Sequence, residues 1–123
     1  MKKNYKFSAK DALKISKHGI DLTIYKYENP LSTVCRVSVK DGHFQEFYDV
    51  KSSFTYSILS GKGTFYLDGM PVQAEAGDLI VIPPNTKIYY FGTMEMVLTN
   101  APAWEEENER HVRFVDKSES PYN

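Results

Sequence analysis

Short apolar runs separated by turn residues follow one another along most of this 123-residue chain, and this spacing constrains the fold more than any other feature. Within a run, apolar and polar side chains alternate, as Leu22 and Ile24 do with their neighbours. Turn signals such as Asp68-Gly69, which is typical of a β-hairpin, separate the runs. The predicted strands are 21–27, 33–39, 44–50, 54–59, 64–67, 73–76, 79–82, 87–91 and 94–99. Short strands at a spacing of about ten residues predict an all-β sandwich or barrel.

The regions on either side of these strands differ from them. Ser8 and Asp11 have the spacing of a capping box, and Gly19 stands where a glycine often ends a helix, so we expect a short N-terminal helix at about 9–17. After the strands, a charged tail is predicted at about 105–123, with its last residues frayed. The length predicts one domain, 1–123, with a barrel core at about 20–100.

Composition excludes several classes of function. A formal net charge of -1 provides no basic surface for nucleic acid or for an anionic membrane. No segment approaches the roughly 18 apolar residues of a membrane helix, and no apolar stretch follows Lys2 and Lys3 as in a signal peptide, so a cytoplasmic protein is expected. The single cysteine, Cys35, excludes an internal disulfide, and its apolar surroundings predict a buried structural thiol.

Two segments carry a more specific pattern. In the first, 59–69, a Gly-x-Gly sequence allows a tight turn. In the second, 76–86, a Gly-Asp pair leads into four apolar residues, and Pro83 then ends the strand because proline donates no ladder hydrogen bond. The two segments resemble the two conserved motifs of the cupin superfamily, and the resemblance covers about 44–100.

The resemblance implies a small single-domain cupin of the conserved-barrel type, which is a double-stranded β-helix or jelly-roll barrel. It also implies a homodimer, since small cupins commonly pair. Metal-binding cupins hold their ion with three histidines and a glutamate at set distances from the two motifs. Counting from Gly61 and Pro83, those four positions are held here by Tyr48, Val50, Phe54 and Ile88. Three of these have no lone pair and a neutral tyrosine is a poor ligand, so we expect no metal cofactor.

The three histidines are not expected to rebuild a site. His18 ends the predicted helix, His43 follows Gly42 in a predicted turn, and His111 lies in the charged tail. Because these elements differ and are far apart along the chain, the sequence predicts three solvated histidines. Cys35 has no evident base partner, so nucleophilic catalysis has little support.

The barrel interior has an unusual composition. If the four former ligand positions point inward, Tyr56 follows Phe54 by alternation and Tyr90 follows Ile88. Arg36, on the face of its strand opposite Cys35, would add a guanidinium. The candidate ligand-binding residues are Arg36, Tyr48, Val50, Phe54, Tyr56, Ile88 and Tyr90. Two interpretations remain open at this point: a cavity suited to a ring or a sugar, or aromatic side chains that simply fill the barrel.

The leading functional hypothesis is a metal-free barrel that binds a small organic ligand, sugar-like or aromatic, without covalent chemistry. The alternative is a metal-independent isomerase or epimerase acting on a sugar-like substrate, with pocket tyrosines as proton donors. A metal-dependent enzyme and a purely architectural dimer are weaker possibilities. Trp104, after the barrel strands, is interpreted as a structural residue, a lid on the barrel or an interface anchor.

Overall fold

Nine β-strands form one curled sheet in the computed structural model, which describes residues 4–123. The strands are β1 (Leu13–Lys17), β2 (Ile20–Ile24), β3 (Thr33–Val39), β4 (Gly42–Asp49), β5 (Ser53–Leu67), β6 (Met70–Glu75), β7 (Leu79–Ile82), β8 (Ile88–Ala101) and β9 (Glu109–Phe114). The helical segments in the described residues are three single 3₁₀ turns, at Ala9–Asp11, Glu106–Asn108 and Lys117–Glu119. None of them is long and apolar enough to cross a membrane. The predicted all-β barrel is confirmed.

The two longest strands, β5 and β8, form the spine of the sheet and pair antiparallel from Ser53↔Ala101 to Leu67↔Ile88. On one side of this spine β8 also pairs with β3 and β4, and on the other side β5 pairs with β6 and β7. Each of these two strands spans two strands that were predicted separately: β5 spans 54–59 and 64–67, and β8 joins those at 87–91 and 94–99. Gly61 lies inside β5 with a φ of 83°, and the position requires glycine because a Cβ there would lie 1.9 Å from the Thr93 carbonyl oxygen.

The predicted helix at 9–17 is wrong beyond the turn at Ala9–Asp11. Residues 13–17 form β1, which pairs antiparallel with β2. His18 and Gly19 connect the two strands with φ of 50° and 90°, a pair of positive values that fits the twist of a tight hairpin. The glycine therefore turns a hairpin where the sequence pattern had indicated a helix end.

The charged tail predicted at about 105–123 belongs to the sheet for part of its length. Its residues 109–114 form β9, which pairs with β4 along the edge of the sheet. Arg113 links this strand to β4 through an ion pair with Glu46, in which Nε and Oε1 are 3.0 Å apart. Near the C-terminus, the Tyr122 hydroxyl lies 2.7 Å from the hydroxyl of buried Thr64. Charged side chains in this segment thus pair with the barrel, so the barrel extends beyond the predicted 20–100 core on both sides.

Candidate active site

A cavity of about 480 Å³ lies between the hairpin β1–β2 and the inner faces of β3, β4, β5 and β8. Most of its wall is apolar, with Leu13, Ile15, Ile20, Leu22 and Ile24 contributed by the hairpin. Its lining residues with polar or ionisable side chains are Lys17, Thr33, Cys35, His43, Gln45, Tyr56, Tyr90, Asn100, Trp104, Glu106 and Glu109. The barrel therefore holds an open cavity beside its packed core.

His43 lies on the wall of this cavity and is only 3% exposed. Its Nδ1 atom is 2.7 Å from the backbone carbonyl oxygen of Gln45. Because a carbonyl oxygen only accepts, Nδ1 carries the proton and Nε2 keeps its lone pair. Burial lowers the pKa of His43 from 6.5 to about 4, so the ring is neutral at physiological pH. The prediction of a solvated histidine is wrong because β4 begins at Gly42 and its inward side chains are His43, Gln45 and Phe47.

The other two histidines are joined to the same region, contrary to the sequence expectation: His18 lies next to His43, and His111 contacts Gln45 on the same strand. The hairpin turn brings the ring of His18 to 5.9 Å from the ring of His43, and the His18 carbonyl oxygen accepts a hydrogen bond from Phe44 N at 2.7 Å. The side chain of Gln45 donates to His111 Nδ1 at 3.0 Å. Among residues 4–123, however, no three His, Cys, Asp or Glu side chains are grouped so that they could hold a metal ion.

Two tyrosines form the wall next to His43. The rings of Tyr56 and Tyr90 meet edge to face with centroids 5.7 Å apart, and the Tyr90 ring stacks on the imidazole of His43 at 5.3 Å. Burial raises the pKa of both phenols, and each phenol lies within the electrostatic reach of other ionisable groups in the cavity. Both side chains therefore stay protonated and can donate hydrogen bonds to a bound oxygen atom.

The candidate residues predicted from the sequence divide between the cavity and other places. Phe54, Tyr56 and Tyr90 line the cavity. Ile88 is buried in the core outside the cavity wall, Tyr48 is half-buried and does not line it, and Val50 and Arg36 are exposed.

The corrections for Tyr48 and Arg36 have the same cause: successive side chains of a strand point to opposite faces of the sheet. On β4 the inward face carries His43, Gln45 and Phe47, so Tyr48 lies on the other face. On β3 the cavity wall includes Cys35 and Val37, and Arg36 lies between them on the solvent side. The expected guanidinium in the cavity is therefore absent.

The far end of the cavity is formed where the chain leaves β8. Trp104 lines it, and the indole Nε1 donates to Glu109 Oε1 at 3.3 Å. Burial raises the pKa of Glu109, and the nearby Lys17 ammonium opposes this shift. The backbone N–H of Trp104 donates to Thr33 Oγ1 at 3.2 Å. These contacts make Trp104 part of the cavity wall, and its predicted roles as a lid or as an interface anchor stay predictions.

Residues 32–107 match the model of the EutQ-like cupin domain. The chain belongs to this cupin family. The predicted resemblance to cupins is confirmed, and no curated protein matches the chain.

Among solved structures, this cupin is similar to the Streptomyces protein Pac13, a nucleoside dehydratase, with 57% identity and a TM-score of 0.96. The match covers 98% of this chain and 100% of that chain. Structures of that protein with uridine carry a histidine-to-glutamine substitution in one case and single tyrosine-to-phenylalanine substitutions in two others.

More distant neighbours share the fold alone. KdgF from a Halomonas species is 14% identical with a TM-score of 0.71, and the match covers 85% of this cupin and 98% of that chain. An RmlC-like cupin from Shewanella frigidimarina is 18% identical with a TM-score of 0.70, covering 87% and 99%.

Proposed function

We propose that this cupin is an enzyme that binds a nucleoside in its cavity and eliminates water from it. The observation that carries the proposal is the meeting of a buried neutral imidazole, His43, with two buried phenols, Tyr56 and Tyr90, on one cavity wall. A second observation supports it. In the Streptomyces nucleoside dehydratase, one histidine and two tyrosines were substituted. Their residue numbers in that protein are each one less than the numbers of His43, Tyr56 and Tyr90 in this chain.

His43 is suited to move the proton that an elimination requires. Loss of water breaks a C–H bond and a C–O bond on neighbouring carbon atoms, and the electron pair of the C–H bond becomes the new double bond. The Nε2 lone pair of neutral His43 accepts the proton from carbon. Because its surroundings lower its pKa, the imidazolium that results is more acidic than an ordinary one and readily gives this proton to the departing hydroxide. The substrate has then lost one water, and His43 has returned to its starting form.

Tyr56 and Tyr90 supply hydrogen-bond donors for the oxygen atoms whose charge changes during this reaction. Their hydroxyl groups stay protonated because burial raises both pKa values. Buried donors held in place by packing stabilise a developing negative charge more than mobile water does, since they need no reorganisation. Neither tyrosine has to lose its proton in this scheme.

The size and walls of the cavity also suit a nucleoside. Its volume of about 480 Å³ falls within the range of about 300–1,000 Å³ that small-molecule sites occupy. Phe47, Phe54 and Trp104 offer aromatic surface for a planar base, and the hairpin adds an apolar wall. The sequence-based hypothesis of a small organic ligand with ring or sugar surface is compatible with this proposal. In the alternative, an isomerase, the proton taken from carbon would return to carbon and no water would be lost.

The experiment measures binding and turnover separately. Uridine binding is followed by isothermal titration calorimetry. Products lighter by one water are sought by mass spectrometry in a panel of nucleosides. The panel includes nucleosides oxidised to a ketone or aldehyde, because a carbonyl makes the neighbouring C–H bond acidic. We expect His43→Gln to bind uridine but to lose turnover by about a hundredfold or more.

Tyr89→Phe serves as the control, because Tyr89 stacks on Tyr66 away from the cavity wall, with centroids 4.8 Å apart. This variant is expected to retain full turnover. Binding of uridine with no dehydrated product from any member of the panel would support the binding-only hypothesis instead. A product of unchanged mass would support the isomerase.

A further inference from the structure

Asn100, at the end of β8, carries a buried hydrogen-bond donor that no group in the described part of the chain uses. The residue lines the cavity and is 4% exposed. Its Nδ2 atom has no hydrogen-bond partner within residues 4–123. A buried amide donor without an acceptor is costly, so such a group in a cavity wall indicates a ligand that supplies the acceptor.

A short hydrogen-bond chain occupies the oxygen end of the amide. The backbone N–H of Trp104 donates to Thr33 Oγ1 at 3.2 Å, so this hydroxyl oxygen is an acceptor there. The hydroxyl has a single hydrogen, and it donates that hydrogen to Asn100 Oδ1, also at 3.2 Å. The oxygen of the amide is therefore the satisfied end and Nδ2 is the end that remains for a ligand.

The position of Asn100 relative to the reacting groups indicates which part of a ligand it meets. Phe54 is the cross-strand partner of Asn100, and Tyr56 pairs with Leu98 one step along the same ladder. Diagonal neighbours in a ladder lie about 7–8 Å apart, so Asn100 is close to Tyr56, at the end of the cavity that Trp104 lines. If the sugar reacts at His43, as in the proposed function on which this step rests, the base extends towards Asn100.

We propose that Asn100 Nδ2 donates a hydrogen bond to a carbonyl oxygen of the base, so that the cavity selects nucleosides whose base carries a carbonyl. A carbonyl oxygen only accepts, and it satisfies Nδ2 without burying another donor. A sugar hydroxyl in the same place would bring a hydrogen that needs its own acceptor. The ring of Trp104, which lines the same end, offers a face on which a planar base can stack.

The test compares the wild-type protein's affinity for uridine, 2-thiouridine, 4-thiouridine and adenosine by calorimetry. Sulfur is a poorer acceptor than oxygen, and adenine has no carbonyl. We expect one thio analogue to bind about tenfold more weakly than uridine or worse, the other to bind like uridine, and adenosine to bind at least as weakly as the weaker thio analogue. Equal affinity for uridine and both thio analogues, or for uridine and adenosine, would overturn the inference.

Asn100→Ala provides the matched variant. It should bind uridine about tenfold more weakly than wild type and should no longer discriminate against the sensitive thio analogue. A thermal melt checks that the variant is folded. If it is not folded, the wild-type affinities for uridine, the two thio analogues and adenosine still test the inference. If wild type dehydrates a nucleoside yet ignores both sulfur substitutions, only the role of Asn100 fails. If no nucleoside binds at all, the proposed function fails and the inference fails with it.

Discussion

The imidazole of His43 stacks on the phenol ring of Tyr90, with 5.3 Å between ring centroids and 29° between ring planes. The ring of Phe47 packs on the same imidazole at 5.1 Å. Two aromatic rings thus cover His43 and remove the water that would stabilise an imidazolium. Any reaction at this residue therefore starts from the neutral ring.

The pH dependence of turnover should reflect this. Activity that needs neutral His43 is lost as the pH falls through its pKa of about 4, and it should be nearly constant from about pH 6 to 8. The measurement is kcat/KM against pH, with intrinsic fluorescence to show that the protein stays folded. A midpoint near 6.5, the ordinary value for histidine, would contradict the prediction.

The same residue should make stability depend on pH. The unfolded chain has a histidine pKa near 6.5 and the folded protein one near 4, so between these values the unfolded state binds more protons. The contribution of His43 to the free energy of unfolding therefore falls as the pH drops through this window, by up to about 1.4 kcal/mol per pH unit. Urea unfolding of wild type and His43→Gln at several pH values measures it as the difference between the two. A difference that stays constant with pH would refute the assignment.

The two cavity tyrosines should act as a unit. We expect Tyr56→Phe and Tyr90→Phe each to lower kcat by about tenfold or more, while uridine affinity changes little because each ring remains. The double variant should lose less than the product of the two single losses, since both hydroxyls serve the same reacting oxygen atoms. Single-turnover kinetics on the four proteins gives the comparison. Fully multiplicative losses would mean that the two hydroxyls act independently.

Gly61 and Gly69 form a matched pair for testing how tightly the spine strands approach each other. Both have a positive φ, 83° and 82°, so alanine is strained at either position. At Gly61 the added Cβ would also lie 1.9 Å from the Thr93 carbonyl oxygen, whereas at Gly69 nothing lies within 4 Å. We expect Gly69→Ala to cost about 1–2 kcal/mol and Gly61→Ala more than about 4 kcal/mol in urea unfolding. Similar costs for both would show that β5 and β8 can separate locally.

Removal of metal ions should change nothing. The positions that bind metal in other cupins hold Tyr48, Val50, Phe54 and Ile88, and no metal-binding group of three side chains occurs in residues 4–123. Turnover and melting temperature before and after dialysis against EDTA should agree. Stoichiometric first-row metal in freshly purified protein, lost together with activity on chelation, would reverse this expectation.

The barrel itself was accessible from the sequence because its determinants are local. Turn glycines and alternating strands predict it. The resemblance to cupins also placed Phe54 inward, and alternation from Phe54 and Ile88 then placed Tyr56 and Tyr90 inward. All three line the cavity. The homodimer implied by the resemblance to cupins stays a prediction.

The errors arose where one segment takes its structure from another. A glycine such as Gly19 can end a helix or turn a hairpin, and only the pairing of 13–17 with β2 makes this segment a strand. Strand β9 is a charged segment that depends on its ladder with β4. His43 was missed although its alternation with Gln45 and Phe47 was visible, because its burial depends on a hairpin that was expected to be a helix.

One wall of the cavity comes from β1 and β2, which lie outside residues 32–107, the part that matches the cupin family. Part of the surface that meets a ligand is thus encoded outside the stretch that encodes the spine of the barrel. Mutations in the hairpin can reshape the cavity while the spine ladder of β5 and β8 is left intact. Relatives that share this barrel can therefore diverge in substrate through a short N-terminal exchange, and the hairpin is the natural place to graft a new specificity onto the fold.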